Sequence, residues 1–493
     1  MDGNLAESCC NTRSTMLPSE FETIAKTLRE HFRALLEEDV GRSRVPDLLT
    51  VQEGVLVFIR ELGLSLIQKF VDVRAEQAMD ARKPCSCGRP MEILQRGSWT
   101  HETLLGPVQV TDPYTYCRVC HERERPVYAW LGTGPEDWSL PVQEAAVDLA
   151  ADESCGKAVA KLARHHPGVR MGRATARRML HRHGARARRF IAGKLAAAVA
   201  RSGRGESPAP PVPELEAEYD AGMIPVATLA PLPDPLPPDV KRTPARRIPV
   251  RKKIRRWEEA KVSLVQKPGT NERLYAMRPT GELDEAFEDL RGLACLMGRT
   301  PDTQIRGIAD GAPYIRPRME KAFADADFIF ILDRPHCKEH LHAAGVLLAP
   351  LTGVPAEQWA KEALKKLEEG KAVEVVAELQ RAYAACGPGP AGSRNDEIRL
   401  AAGYFRRNQD AVAYAEYREN GWSTASSEVE SGHRHTVQVR MKLAGAWWHP
   451  DGVGDILALR MLKVNGWWEE YWSVQRQQWR GHAQRPPGRR AAA

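Results

Sequence analysis

Long apolar runs are missing from this chain. The longest, around residues 328–332 and 345–350, fall far short of the roughly 20 residues that span a bilayer, so no membrane partnership is expected. The opening MDGNLAESCCNTRS lacks the basic-then-apolar order of a secretory signal, and a cytoplasmic setting is expected. Cysteine is sparse: ten in 493 residues do not make a disulfide scaffold. Cys9 and Cys10 fall in a terminus expected to fray, and Cys155, Cys295 and Cys386 read as small buried apolar residues. A further shortage is local. Residues 154–200 hold twelve Lys or Arg and no Asp or Glu, and residues 241–256 hold nine basic residues and again no acid. The net charge is only +7, so its concentration matters more than its size. Such clusters are an electrostatic footprint for polyphosphate; a solvated helix face and a basic linker are the plainer readings.

What is present divides the chain into six parts. Residues 1–80 read as a helical module, with Phe58, Leu62, Leu66 and Phe70 at four-residue spacing and Ile59 and Ile67 widening the stripe. Residues 81–135 carry Cys85 and Cys87 before strand-like runs, and Cys117 and Cys120 after them. Two cysteine pairs on two knuckles are the pattern of a structural four-thiolate Zn²⁺ site. The first pair is CxC rather than CxxC, and His121 is a possible substitute ligand. Residues 136–200 read as a helix-turn-helix, with helices at 141–151, 156–165 and 173–182. Arg173, Thr175, Arg177, Arg178 and Arg182 sit where a recognition helix meets DNA, since arginine serves both phosphate clamping and guanine recognition. A three-helix packing module with a basic exterior is the alternative. The Gly/Pro/Ser-rich 201–213 reads as a linker.

Residues 214–475 alternate strand and helix. Strands are expected at 215–226, 258–265, 273–278, 304–309 and 328–332, and helices at 282–297 and 316–323, with a Pro-rich loop from 229. The apolar 328–332 reads as a central strand covered on both faces. A helical insertion at about 350–418 precedes a helix bearing Glu430, and 476–493 reads as a basic tail. Three leading strands followed by alternating helices and strands give the order of an RNase H-like α/β fold.

Three acids in this region carry the chemistry. Asp220 ends ELEAEYD, Asp310 ends TQIRGIAD, and Glu430 lies in SSEVESGHRHTVQVRMK. Two strand-end aspartates and a helix glutamate can converge on two Mg²⁺ or Mn²⁺ ions about 3.5–4 Å apart, the arrangement for in-line phosphoryl transfer. Small neighbours such as Gly311 are expected to let metal and phosphate approach; a plain Asp-Gly turn is the ordinary alternative. Glu428 competes with Glu430, but the two lie about 200° apart on a helix, so one at most faces the metals. His433 and Arg434 share the face of Glu430 and, with Arg440 and Lys442, are candidate phosphate contacts. Asp333, His336, Cys337 and His340 are expected beside the site, either as a DxxH metal element or as a helix N-cap with packed histidines. Trp447, Trp448, Trp467, Trp468 and Trp472 either stack on an unpaired base or fill a helical core.

The segments YDAGMIPV, WEEAKVSLV, ADGAPYI, LDRPHCKEHL, VESGHRHTVQVRMK and GAWWHPDGVGDILALR resemble the blocks of ISKra-type bacterial insertion-sequence transposases, relatives of Mutator-like DDE enzymes. The resemblance covers roughly residues 85–475. It implies that Asp220, Asp310 and Glu430 form the DDE triad and that Asp333 and His336 match the family's [C/D]xxH element. It also implies that double-stranded DNA, as terminal inverted repeats and target, is the partner, bound by a dimer or larger assembly at the bacterial nucleoid. The CxC knuckle and the Pro-rich stretch at 229–250 depart from the pattern. A structure-specific nuclease and a DNA-binding regulator with a degenerate centre are the competing expectations.

Overall fold

The structure is a computed structural model and describes residues 26, 29, 30, 33, 47–80, 84–131, 138–231 and 251–484. Cys9 and Cys10, most of the first half of the expected N-terminal module, the Pro-rich and basic residues 232–250, and 485–493 of the basic tail lie outside the described residues. The chain is a multidomain α/β protein in two compact units, Met1–Ser139 with Ala483–Ala493, and Leu140–His482. No helix among the described residues is long and apolar enough to cross a membrane.

In the first unit, helix α1 (Leu48–Asp80) precedes strands β1 (Glu92–Thr103), β2 (Gly106–Tyr116) and β3 (Arg123–Glu124), then α2 (Pro126–Leu131). β1 and β2 form an antiparallel hairpin closed between Thr103 and Gly106. The packed face of α1 differs from the expected stripe. Leu64, Ile67, Val71, Ala75 and Ala78 meet Val108, Val110 and Val127, whereas Ile59, Leu66 and Phe70 are exposed. Apolar residues occur on more than one side of this helix, so spacing alone did not select the side that the hairpin covers.

The second unit opens with three helices, α3 (Leu140–Asp152), α4 (Cys155–His165) and α5 (Arg173–Ser202). Ser154 caps α4 by accepting from the Lys157 amide, as a serine before a helix should. α5 runs twenty residues beyond the expected end at 182, because its second half is a buried spine. His183 is bonded to Gln143 and Tyr471 and stacks on Trp472, which is fully buried. The expected linker is also packed: the Val212 amide donates to Gly298 and the Gln304 amide to Pro213.

The sheet follows: β4 (Glu214–Pro231), β5 (Arg251–Gln266), β6 (Arg273–Arg278), helix α6 (Leu283–Leu296), β7 (Gln304–Ala309), α7 (Ile315–Ala322) and β8 (Asp327–Leu332). Its order is β6-β5-β4-β7-β8; β4, β5 and β6 are antiparallel neighbours, and β7 and β8 run parallel to β4. The central strand is therefore β4, and the apolar β8 lies at the sheet edge. Its inner half is nonetheless buried, and its edge is closed where the Leu332 amide donates to Ala411 and Tyr414 Oη donates to the Leu332 carbonyl. β5 begins at Arg251, so the last part of the basic run is strand rather than linker.

After β8 come α8 (Arg334–Thr352), α9 (Ala356–Glu368), α10 (Ala372–Cys386), α11 (Arg394–Arg407) and α12 (Tyr414–Glu419), a helical insertion close to the expected one. Then α13 (Ser427–His433), a π-helical turn at Arg434–Gln438 and α14 (Val439–Met441) lead to α15 (Pro450–Val464) and α16 (Trp468–Gln484). α13 packs on β4 and β5, and α15 packs on α5 and β6.

Candidate active site

The two faces of β4 have opposite chemistry. Leu215, Ala217 and Tyr219 point to one side and are buried; Tyr219 stacks on Phe287 of α6 with ring centres 4.7 Å apart. Glu214, Glu216, Glu218 and Asp220 alternate with them and share the other side. Along this acid ladder neutralisation runs out. The buried Arg306 of β7 donates to Glu214 at 2.5 Å and Glu216 at 3.4 Å. Gln266 donates to Glu216 at 2.9 Å and Glu218 at 3.4 Å. Glu218 has no cation: it accepts the Val429 amide at 2.8 Å, burial is complete, and its carboxyl is pushed up to about 8, chiefly by that burial and further by Glu216, Glu428 and Asp333.

Asp220 is next and half-buried. Strand register fixes its neighbours. Tyr219 pairs with Ala309 and Ala309 with Leu332, so Asp310 and Asp333, just past the ends of β7 and β8, come abreast of Asp220, which is not a strand end as expected but lies within β4 where its pairing with β7 stops. Neighbouring strands lie about 4.8 Å apart, so the Asp220 and Asp310 backbones are about one strand spacing apart. That end of a parallel sheet is also the usual ligand crevice. Asp220 accepts the Ala221 amide at 2.8 Å and Asp310 accepts the Ala312 amide at 2.7 Å. Burial, then the charges of Asp310 and Glu430, raise the Asp220 carboxyl above its ordinary value, against the Ala221 amide and His336.

Asp333 is buried and committed to structure. It caps α8 by accepting the His336 amide at 2.9 Å, pairs with His336 Nδ1 at 2.6 Å, and takes both the amide and the hydroxyl of Ser426. Those hydrogen bonds, from His336 first, outweigh burial and lower its carboxyl; in return Asp333 raises His336 to about 9, leaving a cation beside Asp220 and Asp310. Cys337 is a buried thiol, its pKa pushed up to about 11 by burial, and His340 stacks on Tyr404 at 4.1 Å. The N-cap alternative describes this motif; among the described residues no metal-type cluster forms there.

Glu430 arrives on α13, which is seated by Val429 on Glu218 and by His433 on Gly222. A Cβ on Gly222 would lie 2.1 Å from the His433 ring. His433 is therefore buried, its pKa shifted down by burial, and is not a phosphate contact. Gly311 likewise makes room for Tyr404 and Asn408 rather than for a ligand. Glu428 turns away to pair with Arg273. Glu430 is 58% exposed and pairs with Arg434 at 2.5 Å. It is close enough to influence Asp220, but the three carboxylates do not converge on one point: among the described residues only Cys85, Cys87, Cys117 and Cys120 form a group with all ligand atoms within 4.8 Å.

Arg440 is a second correction. It is 1% exposed, donates to the Ala150 carbonyl at 3.2 Å and stacks 4.5 Å from the Trp448 ring. Burial lowers its pKa to about 10. A guanidinium there complements the carbonyl end of α3 and is closed to DNA. Lys442, Arg173, Arg177 and Arg178 are exposed. Arg178 donates to Thr175 at 3.1 Å, and Arg182 is half-buried. Trp467 and Trp472 are core residues.

No model of a known protein family matches the chain, and no curated protein matches it either. The chemistry must be read from the residues.

The first unit holds the one metal-type cluster found among the described residues. Gly88 and His121, with φ of 81° and 59°, close two tight turns that return amides to the Cys85 and Cys117 carbonyls. The thiols are free, with Cys85 and Cys120 sulfurs 2.8 Å apart and Cys87 and Cys117 sulfurs 3.5 Å apart. The Cys120 amide leads the lowering of Cys117 to about 6. Four soft donors at this spacing could hold a structural metal such as zinc. His121 is bonded to Tyr116 instead and is not part of the group.

The acid ladder was the functional feature missed in the sequence. Its signal, acids at every second position of ELEAEYD, is visible there but normally marks a solvent-facing side.

Proposed function

We propose that this chain is a metal-dependent DNA transposase whose carboxylates are Asp220, Asp310 and Glu430. The observation that carries the reading is the register that brings Asp310, just past the end of β7, abreast of Asp220 on β4. Two half-exposed carboxylates with like-charge coupling suit hard divalent cations such as Mg²⁺ or Mn²⁺. When bound, such ions activate an attacking oxygen and stabilise the leaving one. The chain's own part is to hold Asp220 and Asp310 by the Ala221 and Ala312 amides, and to present Glu430 from a helix anchored on Glu218. Release of Glu430 from Arg434 would complete the set and leave Arg434 for a phosphate.

The strand order, three antiparallel strands followed by two parallel to the first, agrees with an RNase H-like core. The α3–α5 trio agrees with a helix-turn-helix: Arg173, Arg177 and Arg178 form its exposed basic surface, the partner being duplex DNA such as terminal inverted repeats. The resemblance to ISKra-type transposases supports the same assignment.

The test is Mg²⁺-dependent cleavage and strand transfer on element-end DNA, with Asp310→Asn against wild type. Loss of both steps is expected; equal cleavage by the two proteins would end the proposal. Cleavage without transfer to a second duplex would make the protein a nuclease instead.

A further inference from the structure

β4 and β5 continue beyond the body of the sheet. β7 leaves β4 at Tyr219 and β6 leaves β5 at Lys261, yet β4 and β5 stay paired as far as Pro231 and Arg251. This leaves a two-stranded ribbon. Its sides alternate. Gly222, Ile224 and Val226 face one way with Ala260, Glu258 and Arg256, while Met223, Pro225, Ala227 and Leu229 face the other with Glu259, Trp257, Arg255 and Lys253. The first side is the one covered by His433. The second is open: Trp257 is 55% exposed, and Lys253 and Arg255 are exposed too.

Trp447 joins this open side. The Trp448 amide donates to Pro225 and the Ala227 amide donates to Trp448, so the segment before α15 lies along the ribbon. Trp447 meets Trp257 edge-on at 6.3 Å. Lys253 Nζ lies 5.6 Å and the Arg255 guanidinium 5.3 Å from the Trp447 ring. Arg256, on the other side, pairs with Glu258. Lys253 and Arg255 pair with no carboxylate among the described residues. Two indoles and two such cations on an open ribbon are the constituents of a base-stacking platform.

We propose that the Lys253, Arg255, Trp257 and Trp447 cluster binds unpaired nucleotides of a DNA strand. Trp257 stands five residues from Val262, the partner of Asp220, or about 17 Å along the strand. Alternation along β4 sets Asp220 with Gly222 on the opposite side of the ribbon, so the cluster holds single-stranded DNA on the face away from the carboxylates. This inference rests on the reading of the chain as a DNA-processing enzyme.

The test is equilibrium binding of fluorescent dT12 and of a 12-bp duplex to the full chain, without added divalent cation. Trp257→Ala should weaken dT12 binding roughly tenfold, within the range of one lost base stack, and leave the duplex within about twofold. Trp257→Phe should restore most of the loss. The Lys253→Ala/Arg255→Ala pair should reduce the salt slope for dT12 by about 1.4. Unchanged dT12 binding by Trp257→Ala overturns the proposal, as does an equal loss for dT12 and duplex. A changed sedimentation of the DNA-free protein with dT12 binding intact also overturns it and makes the ribbon an interface between copies. Cleavage by Asp310→Asn at the wild-type rate would remove the transposase reading while leaving the dT12 result to stand.

Discussion

The four-cysteine cluster and the proposed carboxylate site are built in opposite ways. In the first unit the four sulfurs come from two tight turns at either end of one hairpin and already lie within 4.8 Å of one another. In the second, Asp220, Asp310 and Glu430 come from two strands and a helix separated by long stretches of chain, and Glu430 is held by Arg434. Local turns preassemble the closed centre. The proposed carboxylate site depends on tertiary register, and a cation bound by all three acids would require Glu430 to leave Arg434. That is the expected division between a centre that holds a fold together and one that admits a substrate.

The largest effect should come from the closed centre. Cys117→Ser should reduce bound zinc from one per chain to none and remove the thermal transition of the hairpin region, because a structural site supplies much of the folding free energy of so small a core. Metal analysis and calorimetry check this, and full zinc retention would break the comparison. At the open centre Asp220→Asn should leave the metal-free fold intact or slightly more stable, since it relieves repulsion from Asp310, while cutting Mg²⁺-dependent cleavage on the order of 10³-fold. Single-turnover rates beside melting curves separate the two effects.

Glu218 sharpens the contrast at smaller scale. Its carboxyl is raised from 4.5 to about 8 in the folded chain, so the folded state holds a proton that the unfolded state has released. Stability tied to that proton is full below about 4.5, falls as pH rises, and is gone above about 8. Glu218→Gln should remove this slope, on the order of a few kcal/mol between pH 5 and 8, as read by urea midpoints. Parallel pH curves for the two proteins would count against it. The smallest effect belongs to His336. Its folded value near 9 means that the Asp333 pairing stabilises fully below about 6.5 and is lost as pH rises through about 9. Because the imidazole is 44% exposed, His336→Ala should cost under about 1 kcal/mol at pH 6 and nothing at pH 10.

Much of this was legible in the residues. The strands at 273–278 and 304–309 fall where alternation and breakers place them, and the helices before residue 166 begin and end near their caps. What the sequence could not yield was cover. Phe328 to Leu332 read as central because burial on both faces looks the same whether or not a further strand pairs alongside. Arg440 and His433 read as surface because charge is normally solvated; only the packing of α14 against α3, and of α13 against Gly222, shows otherwise. The acids of β4 were plain letters, but their inward phase depends on Arg306, Gln266 and Val429, which lie elsewhere in the chain.

The π-helical turn at Arg434–Gln438 works as a phase adjuster between the helix that presents Glu430 and the residues beyond. Such a turn takes up one residue more than an α-helical turn, and each residue in a helix is worth about 100° of rotation. Removing a single residue there would let the helix run straight through as α-helix with Arg440 and Met441, both buried, still in phase, whereas removing one from α13 would turn them by about 100°. A one-codon deletion should consequently do less harm at this point than in the α-helical residues before it.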